Sequence, residues 1–404
     1  MTARAINCAL WLVLGLAAVT GVAAVRSDSP SLRFLEQRVS SDPLDHIAHN
    51  RLSAAYIGQM RETGDLAYLD RALQSARASL KAVPAAQNAG GLAALAVAEL
   101  ESHHFREALT LAREAYAIDP RDTGALATAG DAALELGNYT EAEKTYEKLT
   151  GGEPPPSVRA RLARLAELKG EPQRAIDLLR KNLGTGVDSV WYRVRLGELF
   201  FRTGDFEKAA EHYESARRLR PECYLVLEHL AELRAAEGKF DEALDLYQKV
   251  VAAVPRAEFF QALGDLYVFR NRPADAKPWH ERALLGYLES VEQGNAHYYH
   301  HLASFYTDAR ENPAEALRWA RKDKESRNSI YACDSLAWAL YRNGDFAPAA
   351  EEMTRALALG TKDAHLLFHA GMIFSRAGQI ERGSVLLQRA LAVNPRYNSF
   401  HMHR

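Results

Sequence analysis

The sequence predicts an all-α protein, a right-handed solenoid of about ten stacked helical hairpins, and three observations carry that expectation. Helical patterns alternate with short breaks, Gly137-Asn138, Gly170-Glu171, Gly204-Asp205, Gly238-Lys239, Gly344-Asp345 and Gly378-Gln379, that recur with a period near 34 residues. After the breaks comes a series of small residues: Ala72, Ala108, Ala142, Ala175, Ala209, Ala243, Ala276, Ala316, Ala349 and Gly383. Twelve residues upstream runs a second series, Ala96, Gly130, Ala163, Gly197, Ala231, Gly264, Ala337 and Gly371, with Ala303 one residue further off. Proline closes six units, at Pro84, Pro120, Pro154, Pro221, Pro255 and Pro395, where a second helix can no longer extend its hydrogen-bond ladder. Small residues at matched places on both helices let the backbones approach closely. Larger side chains such as Leu196, Phe200, Leu230, Leu263, Tyr213 and Tyr247 then fill the space between neighbouring hairpins.

Composition agrees with a packed chain. The 404 residues are 48% hydrophobic, and 25 Gly with 15 Pro are near average usage, which excludes disorder and collagen-like order. Lys plus Arg number 50 against 52 Asp plus Glu, so no basic surplus exists to displace counterions from phosphates, and nucleic acid is not an expected partner. Length alone would suggest two or three domains, but the repeat spacing makes length a count of hairpins.

The elements follow in order. Residues 1–25 hold the uncharged run Ala5 to Val25, preceded by Arg4 and ending near Val22-Ala23-Ala24, the pattern of an export signal; the same run is long enough to anchor the chain in a bilayer if uncleaved. The body is therefore expected outside the cytoplasm, periplasmic or membrane-anchored. Residues 28–45 are expected to form a capping helix, 46–396 the solenoid and 397–404 a tail. Two insertions interrupt the period. Gly64 to Asp70 expands the first unit, and the 40-residue interval from Ala276 to Ala316 needs a helix about two turns too long plus one extra residue near Asp308 to Asn312. At the far end, Tyr397, Phe400 and Met402 either fold back over Leu386 and Leu391 or leave that edge to another protein. Cys223 and Cys333 fall in different units and read as free thiols.

The stretch Leu196-Gly197-x-x-Phe200, Gly204-Asp205-Phe206, Ala209, Tyr213, Ala216, Pro221 resembles the tetratricopeptide repeat family, whose 34-residue pattern asks for these residue types at these spacings. The resemblance implies a non-catalytic exported bacterial scaffold that binds a protein or peptide partner in a concave groove. The membrane would be touched only through a retained N-terminal segment. Nothing in the chain argues for an enzyme: there is no G-x-S-x-G elbow, no phosphate-cradling glycine loop and no H-E-x-x-H pair.

In this family the groove is lined by the second, fifth, sixth and ninth residues of each first helix. By that register the last three units present His297, His300, His301 and Ser304, then Tyr331, Asp334, Ser335 and Trp338, then His365, Phe368, His369 and Met372. Earlier units present Glu228, His229 and Glu232, then Glu258, Gln261 and Asp265. Tyr341 adds stacking area and Arg342 and Arg376 add charge, which suits a polar peptide or small ligand. No cofactor is called for, with one exception: His297 and His301 share a helix face and could ligate a metal ion with Asp334 or His365. A solvated helix surface is the third possibility. His103 and His104 occupy a turn and read as surface residues.

Overall fold

The computed structural model describes residues 30–186 and 189–396. Within them the chain forms helices and no strands, and successive helices pack in adjacent pairs, the expected solenoid. Helix α1 (Pro30–Ser41) lies on the first hairpin, α2 (His46–Thr63) with α3 (Ala67–Ala82). Then follow α4 (Ala89–Glu101) with α5 (Phe105–Ile118), α6 (Thr123–Glu135) with α7 (Tyr139–Lys148), and α8 (Pro156–Leu168) with α9 (Pro172–Arg180). Next come α10 (Val190–Arg202) with α11 (Phe206–Leu219), α12 (Tyr224–Ala236) with α13 (Phe240–Ala253), and α14 (Ala257–Phe269) with α15 (Pro273–Glu292). The last three pairs are α16 (Tyr299–Ser304) with α17 (Pro313–Ser326), α18 (Ile330–Arg342) with α19 (Phe346–Ala356), and α20 (Ala364–Arg376) with α21 (Ile380–Val393). The export segment and the C-terminal tail lie outside the described residues. No described helix is long and apolar enough to cross a membrane.

The small-residue series does the packing expected of it. Ala72, Ala108, Ala142, Ala175 and Ala209 are wholly buried. On the first helices, a Cβ built on Gly197 would lie 2.3 Å from the Tyr213 ring, one on Gly130 2.6 Å from Tyr146, and one on Gly264 2.3 Å from His280. Glycine is thus the space into which a large residue 16 positions later inserts. The Gly64–Asp70 insertion is part turn, Gly64 to Leu66, and part helix, since α3 begins at Ala67, whereas the 40-residue interval is absorbed by helix. Helix α15 has 20 residues where α13 has 14, and the extra residue of the following unit is taken up by a π-helical turn at Phe305–Ala309. Cys223 and Cys333 are free, and Cys333 is buried.

Most hairpin breaks use a left-handed residue, and Gly137, Gly204 and Gly344 provide it with φ of 79° to 89°. Three units depart from glycine: the α16–α17 break, Arg310 to Asn312, has no left-handed residue, and two others put a different residue there. His103 sits at φ 63° and Asn271 at φ 58°, and a histidine held there costs on the order of 1 kcal/mol unless its surroundings fix it.

The coil is wound tightly enough for its second turn to rest on its first. His103 Nε2 lies 3.2 Å from His297 Nδ1, 194 residues away. The Ile330 N–H donates to the Tyr139 hydroxyl at 2.7 Å, Thr361 Oγ1 to the Glu167 carbonyl at 3.3 Å, and Asn394 Nδ2 to the Phe201 carbonyl at 3.1 Å, with separations of 191, 194 and 193 residues. A constant offset between five and six repeats makes a continuous seam: the turn inside one hairpin meets the loop that joins two others. Gly137 and Gly170 sit on it, where a Cβ would come within 2.5 Å of the Asn328 carbonyl and 2.3 Å of the Gly360 carbonyl.

Candidate functional site

The inner face of the coil is not one open trough. Among the described residues it holds two separate cavities lined by inner positions of the first helices. The first, of about 800 Å³, is walled by α8, α10 and α12. Residues 161 and 164 of α8, and 191, 195 and 198 of α10, turn inward because a helical face repeats every three or four residues. Arg161 grips Asp131 with two parallel bonds, Nε to Oδ1 at 2.8 Å and Nη2 to Oδ2 at 2.7 Å. Arg164 and Arg202 both reach Glu167, at 2.7 and 3.0 Å, while Arg202 and Arg195 pair with Glu198. Burial works against ionisation of Glu167, but the guanidinium groups of Arg164, Arg202 and Arg195 overcome it and hold its carboxyl low; Glu198 is held low in the same way by Arg195 and Arg202. Trp191 remains 45% exposed at the rim, edge-on to Tyr192.

The second cavity, of about 680 Å³, is walled by α12, α14, α15 and the π-helical turn. Its polar lining is acidic: Glu228, Glu232, Glu258, Asp265 and Asp308. Three of these have partners in the wall. Glu232 meets His229 Nδ1 at 3.1 Å, Glu258 accepts from the Tyr298 hydroxyl at 2.9 Å and pairs with Arg256, and Asp265 meets His280 Nε2 at 2.8 Å. Burial alone would lower His229, yet its bond to Glu232 raises it to about 9.

The structure distributes the sequence-predicted residues over several places. His297, His300 and His301 cluster with His103, which is therefore an interior seam residue and not a surface turn residue, because the second turn of the coil covers it. Ring centroids of His300 and His301 are 4.1 Å apart, and those of His103 and His297 4.6 Å. Burial pushes His297 and His301 down to about 3, and lowers His103 and His300 far below the usual imidazole range; Arg256 and Arg327 act in the same direction on His297 and His301. Asp334 bonds His369 Nδ1 at 2.9 Å, Trp338 stacks on the same ring at 4.1 Å, and Tyr341 stacks on Trp338 at 4.8 Å. Tyr331 lines neither cavity; it lies under Arg164, a residue of the first, at 5.3 Å, bonds Asp363 at 3.3 Å, and burial pushes its phenol up to about 12. Arg342 pairs with Glu311, and Arg376 lies over Phe346 at 4.9 Å. His365 reaches the second cavity's lining alongside His301. The four candidate metal ligands do not form one set: His297 and His301 belong to the seam cluster, whereas Asp334 bonds His369 on α20. No group of three or more such ligands among the described residues has a geometry that would hold a metal ion.

Sequence reasoning passed over Arg161, Arg164, Arg195, Arg202 and Trp191. The signal was available, since the inner-face register that singled out the last three units also selects Arg161 and Arg164 on α8 and Trp191 and Arg195 on α10.

Comparison with known proteins agrees with this architecture. Tetratricopeptide repeat models match residues 99–165 and 194–258, so the chain carries tetratricopeptide repeats. A TPR repeat-containing protein of Methanocaldococcus jannaschii is 22% identical over 229 residues, 57% of this chain and 35% of that protein, so the chain matches about a third of its relative's length. Among solved structures, a human IFIT1 dimer with PPP-AAAA aligns at 15% identity and a TM-score of 0.46, covering 90% of this chain and 94% of that one. Yeast Tom70 aligns at 14% identity and a TM-score of 0.40, covering 90% and 88%. Repeats of this kind are typical of protein–protein interaction scaffolds, and the family is generally non-catalytic.

Proposed function

We propose that the chain is a non-catalytic scaffold that holds a partner protein or peptide on the inner face of its coil. It would do so outside the cytoplasm, in the periplasm or cell envelope, delivered or anchored by residues 5–25. The observation that carries the proposal is the rim of the first cavity. There the half-exposed indole of Trp191 stands beside a row of guanidinium groups locked in place by Asp131, Glu167 and Glu198. An aromatic anchor beside fixed, preorganised charge is the pattern of an interface hot spot, because little side-chain entropy is left to lose on binding.

The test is capture from the native envelope followed by reconstitution with the purified partner. Trp191→Ala should weaken the reconstituted complex by on the order of tenfold or more. A partner that binds the variant as tightly as the wild type, or no reproducibly captured protein, would overturn the proposal. Fractionation of the cells tests the location: a cytoplasmic protein with residues 1–25 intact would remove that part.

A further inference from the structure

The last described residues lead the chain off α21 and onto α11, in the other turn of the coil. Asn394 donates from Nδ2 to the Phe201 carbonyl at 3.1 Å, and its Oδ1 accepts the Arg396 N–H at 2.9 Å, which turns the backbone across the α10–α11 break. Pro395 packs on that break, its Cδ 3.2 Å from where a Cβ on Gly204 would stand, and the Arg396 guanidinium lies over the Phe206 ring at 5.3 Å. A groove of about 1370 Å³ begins here, lined by these two residues, by α11, and by Arg193 and Glu237 beside it. It carries five carboxylates, Asp205, Glu207, Glu211, Glu214 and Glu237, against the cations Arg193 and Arg218. Asp205 pairs with Lys208, and Glu214 and Glu237 pair with Arg234. Glu207 and Glu211, exposed and one helical turn apart, pair with no cation among the described residues.

We infer that this groove seats the chain's own residues 397–404, which strap the end of the last hairpin to α11. Three observations point to that occupant. The segment starts at the groove's edge, because Arg396 is already part of the lining. Its length fits: eight residues reach at most about 28 Å when extended, and the 14 residues of α11 are about 21 Å long. Its charge is complementary, since it holds His401, His403 and Arg404 and neither Asp nor Glu, so Arg404 finds free carboxylates at Glu207 and Glu211. The face of α21 offers less. Leu386 is already buried there, and the helix exposes Arg382 and Arg389 against Glu381 alone. The strap also continues the seam, whose contacts at Ile330, Thr361 and Asn394 hold the preceding loops on the first turn of the coil. Exposed ion pairs are individually weak and screened by ions, so the segment should hold the groove at low salt and leave it at high salt.

The experiment is photo-crosslinking of the full chain with a benzophenone amino acid in place of Phe400, followed by digestion and mass spectrometry. Expected is an intramolecular link to α11, between Phe206 and Arg218. Its yield should fall on the order of fivefold when Glu207→Lys and Glu211→Lys are combined, and by a similar factor in about 1 M NaCl. Both positions are solvent-exposed, so the double variant should melt as the parent does. Arg404→Glu reverses the same charges from the other side and replaces it if the melt differs. Links into α21, links between two chains, links without preference or no link would overturn the inference. So would an α11 link whose yield ignores the charge reversal. The scaffold proposal stands apart from every one of these results, because the groove shares no residue with either inner cavity.

Discussion

His103 and His297 meet ring nitrogen to ring nitrogen, 3.2 Å apart, although 194 residues of chain separate them and each belongs to a different turn of the coil. His103 can do so only from a left-handed backbone, in the place where most other units have glycine. His103→Gly and His103→Ala both lose the contacts with His297 and Phe105, but only alanine keeps the backbone cost. Chemical denaturation should find the glycine variant more stable than the alanine variant by about 1 kcal/mol. The reverse order would mean that the turn is not left-handed.

Four histidines of that seam are held neutral, and this fixes the sign of a pH dependence. The folded chain holds His103, His297, His300 and His301 below their usual range, so the unfolded chain binds more protons once pH falls below about 6.5. Each such group removes about 1.4 kcal/mol of stability per pH unit on acidification. Glu228 and Asp308, raised by burial, work the other way, because the folded chain protonates them first. Taken together these six groups give a slope between pH 6 and 5 on the order of two protons, about 3 kcal/mol per unit, with stability lost toward acid, and His212, lowered by burial, adds in the same direction. Urea titrations at pH 7, 6 and 5 measure it, and constant stability across that range would contradict the seam.

Gly197 and Gly151 make a matched pair. Gly197 lies where a Cβ would strike the fully buried Tyr213 ring at 2.3 Å, whereas Gly151 has nothing within 4 Å. Gly197→Ala should cost about 1–3 kcal/mol in spite of alanine's better helix propensity. Gly151→Ala should stay within about 0.5 kcal/mol of the parent. Thermal melts of both variants decide it, and equal stability would refute the packing account.

Tyr139 accepts the N–H of Ile330 across the seam at 2.7 Å. Tyr139→Phe leaves that donor without its acceptor at an unchanged ring volume. A loss of about 1–2 kcal/mol is expected, together with faster amide exchange at Ile330. Unaltered exchange would show that the two turns do not touch there.

The hairpins were legible because packing within one repeat is local. Gly197 with Tyr213 and Gly264 with His280 repeat one spacing along the chain, and so declare themselves without knowledge of the rest. The lining of the second cavity was legible for the same reason, since inner-face register alone selects Glu228, Glu258 and Asp265. What stayed hidden is the seam, because its offset of about 193 residues depends on how the small rotation between hairpins accumulates over more than five of them. Its one trace in the sequence is His103, a histidine in a place that most other units keep for glycine, and composition gives no reason to look for its partner at His297. The arginine-lined cavity was readable but outweighed by the histidines of the last units.

Ordinary repeat arrays gain and lose units freely, since each touches only its neighbours. Here Asn394 at the end of the last hairpin bonds the carbonyl of Phe201 in the middle of the chain. Deleting or duplicating any one unit between them would shift every later contact by a whole repeat and bring together loops that do not match. The number of repeats between these two residues is therefore locked, and that part of the coil can vary by substitution far more readily than by gain or loss of a unit.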